Sequence, residues 1–427
     1  MRNALKPGVV QDHAMSRTLA QGQTPARALS GDAGAFSAAT LVGVMFMGST
    51  LLTPLYALYR REFGFSIVVL TLLYSVYVVG NLCALLFLGG LSDQIGRRKV
   101  ALGSIAVAGL STVMFFFAPN PVWLFLARAV SGLSIGVAAG TGTAWLAELI
   151  DGGHRARAST IATTANFLGV AAGPLLSGVL AQYAPWPTRL SFVVYFVVVA
   201  LTAVLMARTA ETVERKPGKP NLKPRIGVPP ELRVRFIPPA VSVFGVMALV
   251  GFYAALVPSI MIRELHQTNL ALGGAVAAAM FFIAAVVIML TQALKPRTAM
   301  LWGLGLMPPA VGLLVLAQAE KSMPLLLVGA LISGSAAALG YRGSLQVIYA
   351  LAPADRRAEI GSAYYLCGFA GNALPVIGVG VVTALASAVA GSAAFAALIA
   401  VFAVTALAIE LRRKPEADAR PRANEAR

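Results

Sequence analysis

The chain has 427 residues, 58% of them hydrophobic and only 12% charged, with a mean hydropathy of +0.77. A soluble domain carries about 25% charged residues, so half that share cannot cover a globule of this size, and a cytoplasmic enzyme is excluded. The 34 Lys and Arg against 17 Asp and Glu leave a net charge of +17; these cations fall in gaps between apolar runs, so they speak of membrane topology rather than nucleic acid.

The first 35 residues (1–35), rich in Gln, Ala, Arg and Gly, lack the apolar core of a secretory signal. They read as a disordered cytoplasmic extension, with Met15 a second candidate start. Runs free of Asp, Glu, Lys and Arg at 33–59, 63–92, 100–127, 129–147, 158–188 and 190–207 predict spans one to six, an N-terminal bundle over 36–207. The polar stretch 208–236, with Lys216-Pro217-Gly218-Lys219-Pro220 and Pro229-Pro230, reads as a flexible cytoplasmic loop. Runs at 236–262, 265–294, 298–319 and 322–341 predict spans seven to ten. A helix needs about 20 apolar residues to cross about 30 Å of hydrocarbon. The 50-residue run 360–409 must therefore hold spans eleven and twelve, divided near Ala390 and Gly391. These form a second bundle over 237–411, followed by a cytoplasmic tail, 412–427. The runs show no sustained alternation of period two, so helices rather than a barrel satisfy the backbone in lipid. Cys83 and Cys367 lie inside apolar runs without a CxxC or Cys/His grouping, so neither a disulfide framework nor a metal site is expected.

The cations fix an orientation. With the N-terminus inside, 27 of the 34 Lys and Arg fall on inner segments, among them Arg97, Arg98, Lys99, Arg155, Arg157, Lys295, Arg297, Arg356 and Arg357. Only Arg60, Arg61, Arg189, Arg263 and Lys321 fall outside, and Arg128 and Arg342 fall at membrane depth. This positive-inside pattern puts both termini on the cytoplasmic face of a bacterial-style inner (plasma) membrane. Ser131-Gly132 recurs as Ser333-Gly334 and Arg157-Ala158 as Arg357-Ala358, at offsets of 202 and 200. The expected fold is an all-α membrane protein: twelve transmembrane helices in two pseudo-symmetric six-helix bundles, with a solute site between them.

The turn between spans two and three reads Gly89-Gly90-Leu91-Ser92-Asp93-Gln94-Ile95-Gly96-Arg97-Arg98-Lys99. Glycines permit a tight reversal, and a carboxylate beside several cations offers a charge latch on one side of the membrane. A plain basic turn needs cations but not the Gly, Asp, Gly spacing. The stretch resembles the loop signature of the major facilitator superfamily, Gly-x-Leu-x-Asp-x-x-Gly-Arg-Arg/Lys, with Gln94 where a cation is usual. That resemblance implies the major facilitator fold and a secondary active transporter working by alternating access.

Three further stretches are similar to motifs of the twelve-helix drug:proton antiporter branch. Gly48 to Pro54 is similar to its first-helix motif, with Ala57 in place of a second Pro. Arg128 with Gly132 and Gly136 is similar to its Arg motif, with Ser131 replacing a common Gln. In span five, Gly169-x3-Gly173-Pro174-x2-Ser177-Gly178 is similar to its antiporter motif, Ser177 replacing one Gly. Read from the residues alone, glycines four apart make a flat face for close packing and Pro174 bends the helix; a helix contact and a coupling role are both open.

An Arg at the centre of a membrane helix costs about 2.5–3.5 kcal/mol by insertion scales, so Arg128 and Arg342 should face a cavity or a partner. Arg342, flanked by Tyr341 and followed by Gln346, either snorkels to the inner surface or bonds backbone carbonyls, or else serves substrate or coupling chemistry. Carboxylates are scarce: Asp93 and Glu148 fall near the inner surface and Glu62 near the outer, and span one has none at depth. Glu148 is expected to pair with Arg97, Arg155 or Arg157. The latch set is therefore Gly90, Asp93, Gly96, Arg97, Arg98 and Glu148, expected to join spans as the inner side closes. Candidate cavity residues are Thr50 and Thr53 on span one; Tyr74, Tyr77 and Asn81 on span two; Tyr341, Arg342 and Gln346 on span ten; and Tyr364 and Asn372 on span eleven.

No Walker loop, HExxH, GxSxG or dinucleotide fingerprint is present, so neither an ATP-driven pump nor a membrane hydrolase is expected in this chain. The expected partners are a small organic solute, protons and the lipid bilayer, with no cofactor, metal or nucleic acid, and a monomeric state. Efflux of drug-like or metabolite compounds coupled to proton entry leads the readings. Uptake or exchange of an organic anion, with Arg342 and Arg128 as counter-charges, is the alternative. A non-transporting membrane sensor on the same fold is the third.

Overall fold

The computed structural model describes residues 28–150, 155–214, 226–353 and 356–413. The expected 1–35 extension up to residue 27, the Lys216–Pro220 tract and the tail beyond Arg413 lie outside the described residues. Twelve helices are long and apolar enough to cross a membrane. They are span one Gly31–Phe63, two Ile67–Leu88, three Arg97–Phe116, four Pro121–Leu149, five Arg157–Tyr183 and six Leu190–Arg208. Then come seven Pro230–Ala255, eight Leu270–Leu290, nine Pro296–Ala319, ten Met323–Leu351, eleven Arg357–Leu385 and twelve Ala388–Leu411. Among the described residues the β-structure is a single bridge between Leu29 and Thr209.

Local chemistry sets the span limits. Ser66, Asn120, Asn269, Ser322 and Ser387 each accept a hydrogen bond from the backbone N–H three residues on, at 3.0–3.5 Å, at the start of spans two, four, eight, ten and twelve. Each cap satisfies an N–H that the helix end leaves open. The cap at Ser387 moves the division between spans eleven and twelve to Ala386 and Ser387, ahead of the expected Ala390 and Gly391, which lie in the first turn of span twelve. Span one starts at Gly31, before the expected 36. Span seven starts at Pro230, inside the stretch expected to be loop, where a proline at the first helical position needs no N–H partner.

Two spans are broken. Span one stops at Thr50, turns through 51–54 and resumes as Leu55–Phe63. Span seven stops at Ala255 and resumes as Val257–Arg263. Pro54 and Pro258 sit at the two breaks, where a missing N–H interrupts the helical ladder.

Packing repeats between the halves. In the first half, span four packs on spans one, two and three, span five on one, and span six on three. In the second, span ten packs on seven, eight and nine, span eleven on seven, and span twelve on nine. Apolar side chains such as Phe196, Val197 and Leu201 on span six and Val401 and Val404 on span twelve stay exposed, the rim a bilayer would cover. The halves meet where span five lies along span eight and span eleven along span two.

The two ends of the bundle differ. One end carries Arg97, Arg98, Lys99, Arg208, Lys295, Arg297 and Arg357, and is the basic end. The seams between halves tighten towards the other. A Cβ on Gly274 would lie 2.2 Å from the Pro174 carbonyl oxygen, one on Gly178 2.7 Å from that of Leu270, and one on Gly380 2.3 Å from the Thr71 hydroxyl. The Leu270 N–H donates to Gln182 Oε1 at 2.8 Å in the same region. The halves are thus shut against each other away from the basic end.

Candidate functional site

At the basic end, Arg97 is the hub. Its guanidinium donates to both carboxylate oxygens of Glu148, at 2.6 and 3.1 Å, to the Ser92 hydroxyl at 2.5 Å, and pairs with Asp93 at 2.5 Å. The paired geometry matches a planar fork to a carboxylate. The Arg97 side chain is 6% exposed, while Asp93 is 57% exposed. Thr212 adds a short hydrogen bond to Glu148.

The hub has a partner that the sequence reading did not name. Glu211, just past span six, accepts from the backbone N–H groups of Arg97 at 2.8 Å and Arg98 at 3.0 Å. It caps span three, which has no side chain of its own to do so, and its charge suits a helix N-terminus. Gly96 makes room: its φ is +103°, and a Cβ there would lie 2.7 Å from Glu211 Oε2. Gly90 has no such tight neighbour, since its Cβ would reach only Gln94 Nε2 at 4.0 Å. The Trp145 indole donates to the Ala210 carbonyl at 2.9 Å, and Leu29 bonds Arg208 and Ala210, so this segment is fastened down. All of these groups belong to the first half. The network therefore ties spans two, three, four and six to one another, and Asp93, largely exposed, is its free face.

The second half carries a counterpart. Glu410, at the end of span twelve, accepts from Arg297 Nε at 2.7 Å at the start of span nine and pairs with Arg413 at 3.4 Å. Glu410 follows Glu211 by 199 positions and Arg297 follows Arg98 by 199, extending the internal repeat.

At membrane depth, Arg128 is fully buried. Its Nη1 donates to the Ser49 carbonyl at 2.7 Å, its Nε to the Tyr56 hydroxyl at 3.1 Å, and its Nη2 makes a short bond to the same hydroxyl. The break in span one explains the first of these: the Thr53 N–H turns back to Thr50 at 3.0 Å, which releases the Ser49 carbonyl. The guanidinium also lies over the rings of Tyr77, Tyr56 and Tyr74, at 5.2, 5.6 and 5.8 Å, a favourable placement for a desolvated cation. No carboxylate pairs with Arg128 among the described residues. Tyr56, absent from the sequence reading, lies just past Pro54, beyond the break in span one.

Tyr74 and Tyr77 in turn donate to Asn372 Oδ1, at 3.1 and 2.9 Å, across the boundary between halves. Asn372 Nδ2 donates to the Met247 carbonyl of span seven at 3.2 Å, which fixes the orientation of the amide. The other expected cavity residues have varied surroundings. Thr50 bonds the Val170 carbonyl of span five at 2.9 Å. Asn81 lies against Gly136 of span four, whose Cβ would sit 2.5 Å from its Oδ1. Tyr364 bonds Ser344 within the second half at 2.7 Å. Tyr341 meets Phe167 of span five edge-on at 6.2 Å, and Gln346 is half-buried. The Thr53 hydroxyl is buried without a hydrogen-bond partner.

Arg342 takes the first of the two roles open to it. It donates to the carbonyls of Thr291, Gln292 and Leu294, at 2.5, 2.8 and 2.9 Å, closing the C-terminal end of span eight. A cation there also complements the helix dipole. The span-five glycines divide their work: Gly169 and Gly173 seat on span one, with Cβ distances of 2.1 Å to the Gly43 carbonyl and 2.4 Å to Thr50 Oγ1, while Pro174 and Gly178 form the seam with span eight.

Two repeated six-span halves, each broken in its first span towards the end away from the basic face and joined firmly at one end of the bundle, are the architecture of a secondary transporter. The chain belongs to the Major Facilitator Superfamily, whose family model matches residues 38–375. Its twelve membrane-length helices accord with this family of multi-pass membrane transporters. It is 34% identical over 128 residues to a cephamycin export protein of Amycolatopsis lactamdurans, covering 30% of this chain and 26% of that protein. It is 24% identical over 170 residues to the multidrug resistance protein MdtM of Escherichia coli, covering 40% and 41%. The matched stretches thus span well under half the length of these relatives. Among solved structures, a bacterial homologue of the human lysosomal transporter Spinster, in an inward-facing and unoccupied conformation, superposes with a TM-score of 0.63 at 16% identity. That match covers 91% of this chain and 97% of the other, and speaks for the fold.

Proposed function

We propose that the protein exports a small organic compound across a bacterial inner membrane in exchange for protons. The basic end faces the cytoplasm, following the positive-inside bias, with both termini on that side. In this arrangement the structure is closed outside, and transport proceeds by rocking of the halves about a midplane site. The observation that carries the reading is the place of the antiporter-like span-five stretch: Pro174 and Gly178 lie on the seam between halves, where motion must occur. The name of the cephamycin export protein supports export, and that of the multidrug resistance protein supports a drug-like compound. In proteoliposomes with a preset pH gradient, adding cephamycin or a panel of multidrug-efflux compounds should dissipate the gradient. A gradient indifferent to every compound would refute proton-coupled export.

Exchange of an organic anion is favoured by one observation of its own, the buried Arg128 cation without a carboxylate partner. Arg342, engaged with three carbonyls, no longer serves this reading as counter-charge. Counterflow of organic anions lost in Arg128→Met but kept in Arg342→Ala would support it.

A further inference from the structure

We propose that Tyr74, Tyr77 and Arg128 form a seat for a carbonyl or carboxylate oxygen of the solute, and that Asn372 Oδ1 fills this seat as a built-in stopper when the outer side is closed. This deepens the transporter reading and rests on it. Two phenol O–H groups converge on one oxygen, at 3.1 and 2.9 Å, and the two hydroxyls stand 3.4 Å apart. Behind both rings lies the guanidinium of Arg128, within 5.2 and 5.8 Å of their centroids. A cation over a phenol ring draws electron density from it and makes its O–H a better donor, and low local polarity strengthens the bond further. Convergent donors before a buried cation suit an electron-rich oxygen and repel an ammonium group.

The oxygen now held there comes from the other half. Asn372 cannot follow Tyr74 and Tyr77 when the halves part, because each side is fixed to its own body. Gly132 and Gly80 of the first half hold spans two and four together, with Cβ distances of 2.0 Å to the Tyr77 carbonyl and 2.3 Å to that of Ala129. Gly371 and Gly251 hold spans seven and eleven, with Cβ distances of 2.2 Å to the Phe244 carbonyl and 2.5 Å to that of Asn372. Opening the outer side therefore withdraws the amide and leaves two phenol donors, with a cation against their rings, without the acceptor they share. A second observation lies in span one. Thr53, in the break at 51–54 between Ser49 and Tyr56, which both hold Arg128, is 1% exposed and its hydroxyl has no partner. The break thus carries a buried donor that the closed state leaves unused. The same two phenols act as a clasp in one state and as solute lining in the other.

The test compares purified wild-type protein, Asn372→Ala and Asn372→Ala/Tyr74→Phe/Tyr77→Phe for binding of benzoate and benzamide, with benzylamine as the cationic control. Removing the stopper frees two hydrogen bonds, so Asn372→Ala should bind benzoate about tenfold more tightly than wild type. The two Phe changes should cancel the gain. Should the triple variant fail to fold, Asn372→Ala/Tyr77→Phe removes one donor, leaves its ring over Arg128, and should cancel part of it. No gain for the oxygen-bearing probes over benzylamine, or a gain that survives loss of the phenols, would overturn the seat. A protein that passes this test yet moves no proton with any solute keeps the seat and loses the export reading instead.

Discussion

Replacing Gly132 by alanine tests the tight joint between spans two and four. The added Cβ would lie 2.0 Å from the Tyr77 carbonyl oxygen, 2.8 Å from its carbon and 2.9 Å from the Tyr77 Cα. All three are backbone atoms and cannot rotate aside. Reaching ordinary contact near 3.4 Å requires the two helices to separate by about 1.4 Å. Overpacking of this kind costs about 1–3 kcal/mol, and backbone neighbours put the case at the upper end. Alanine gains about 1 kcal/mol in helix propensity over glycine, which leaves a net loss of about 2 kcal/mol. At about 2–4 °C per kcal/mol for a unit of 150–250 residues, the melting temperature in detergent should fall by about 4–8 °C. Gly140 provides the control on the same helix: it is exposed, nothing lies within 4 Å of its Cβ position, and Gly140→Ala should melt at or above wild type. Equal melting of the two variants would refute the close approach of spans two and four.

Asp93→Asn removes the exposed carboxylate of Arg97 and keeps the Glu148 pair; it should alter thiol labelling of a cysteine at Tyr349 on the basic end, and unchanged labelling and flux would remove Asp93 from the latch. Glu211→Gln should weaken the cap on span three by about 1–2 kcal/mol, read as faster amide exchange at Arg97 and Arg98; unchanged exchange would refute the cap. Arg342→Ala leaves three carbonyls without their donor, so stability should drop by about 1–3 kcal/mol while the KM for transport holds. A raised KM at unchanged stability would return Arg342 to the solute path.

The span count and most span limits were legible because crossing lipid demands long charge-free runs, and no distant contact alters that demand. That Glu148 pairs with a cation was legible too, since few acids lie near that surface, but Arg97 stood there as one of three choices beside Arg155 and Arg157. What escaped depends on partners that leave no mark in the chain. Arg342 binds carbonyls, which every residue has, so its sequence neighbours could not separate an end-cap from a solute contact. Glu211 matters because Gly96 takes a positive φ and clears space beside it, a fact of backbone geometry. Tyr74 and Tyr77 with Asn81 were picked out as a face of span two, and Asn372 with Tyr364 as one of span eleven, but which residues meet across two halves is decided by packing between those spans. Tyr56 reads as one more apolar position until the break at 51–54 turns it onto Arg128.

The matching fasteners at Glu211 and Glu410 have a mechanical consequence. Each half anchors its last helix to its own third, so either one behaves as a stiff body whose internal strain changes little as it tilts. Under the proposed rocking, compliance is concentrated in the small-residue seams and the phenol–amide contact, and the free energy separating the two tilted states is set by a handful of atoms there rather than by the hundreds buried within each body.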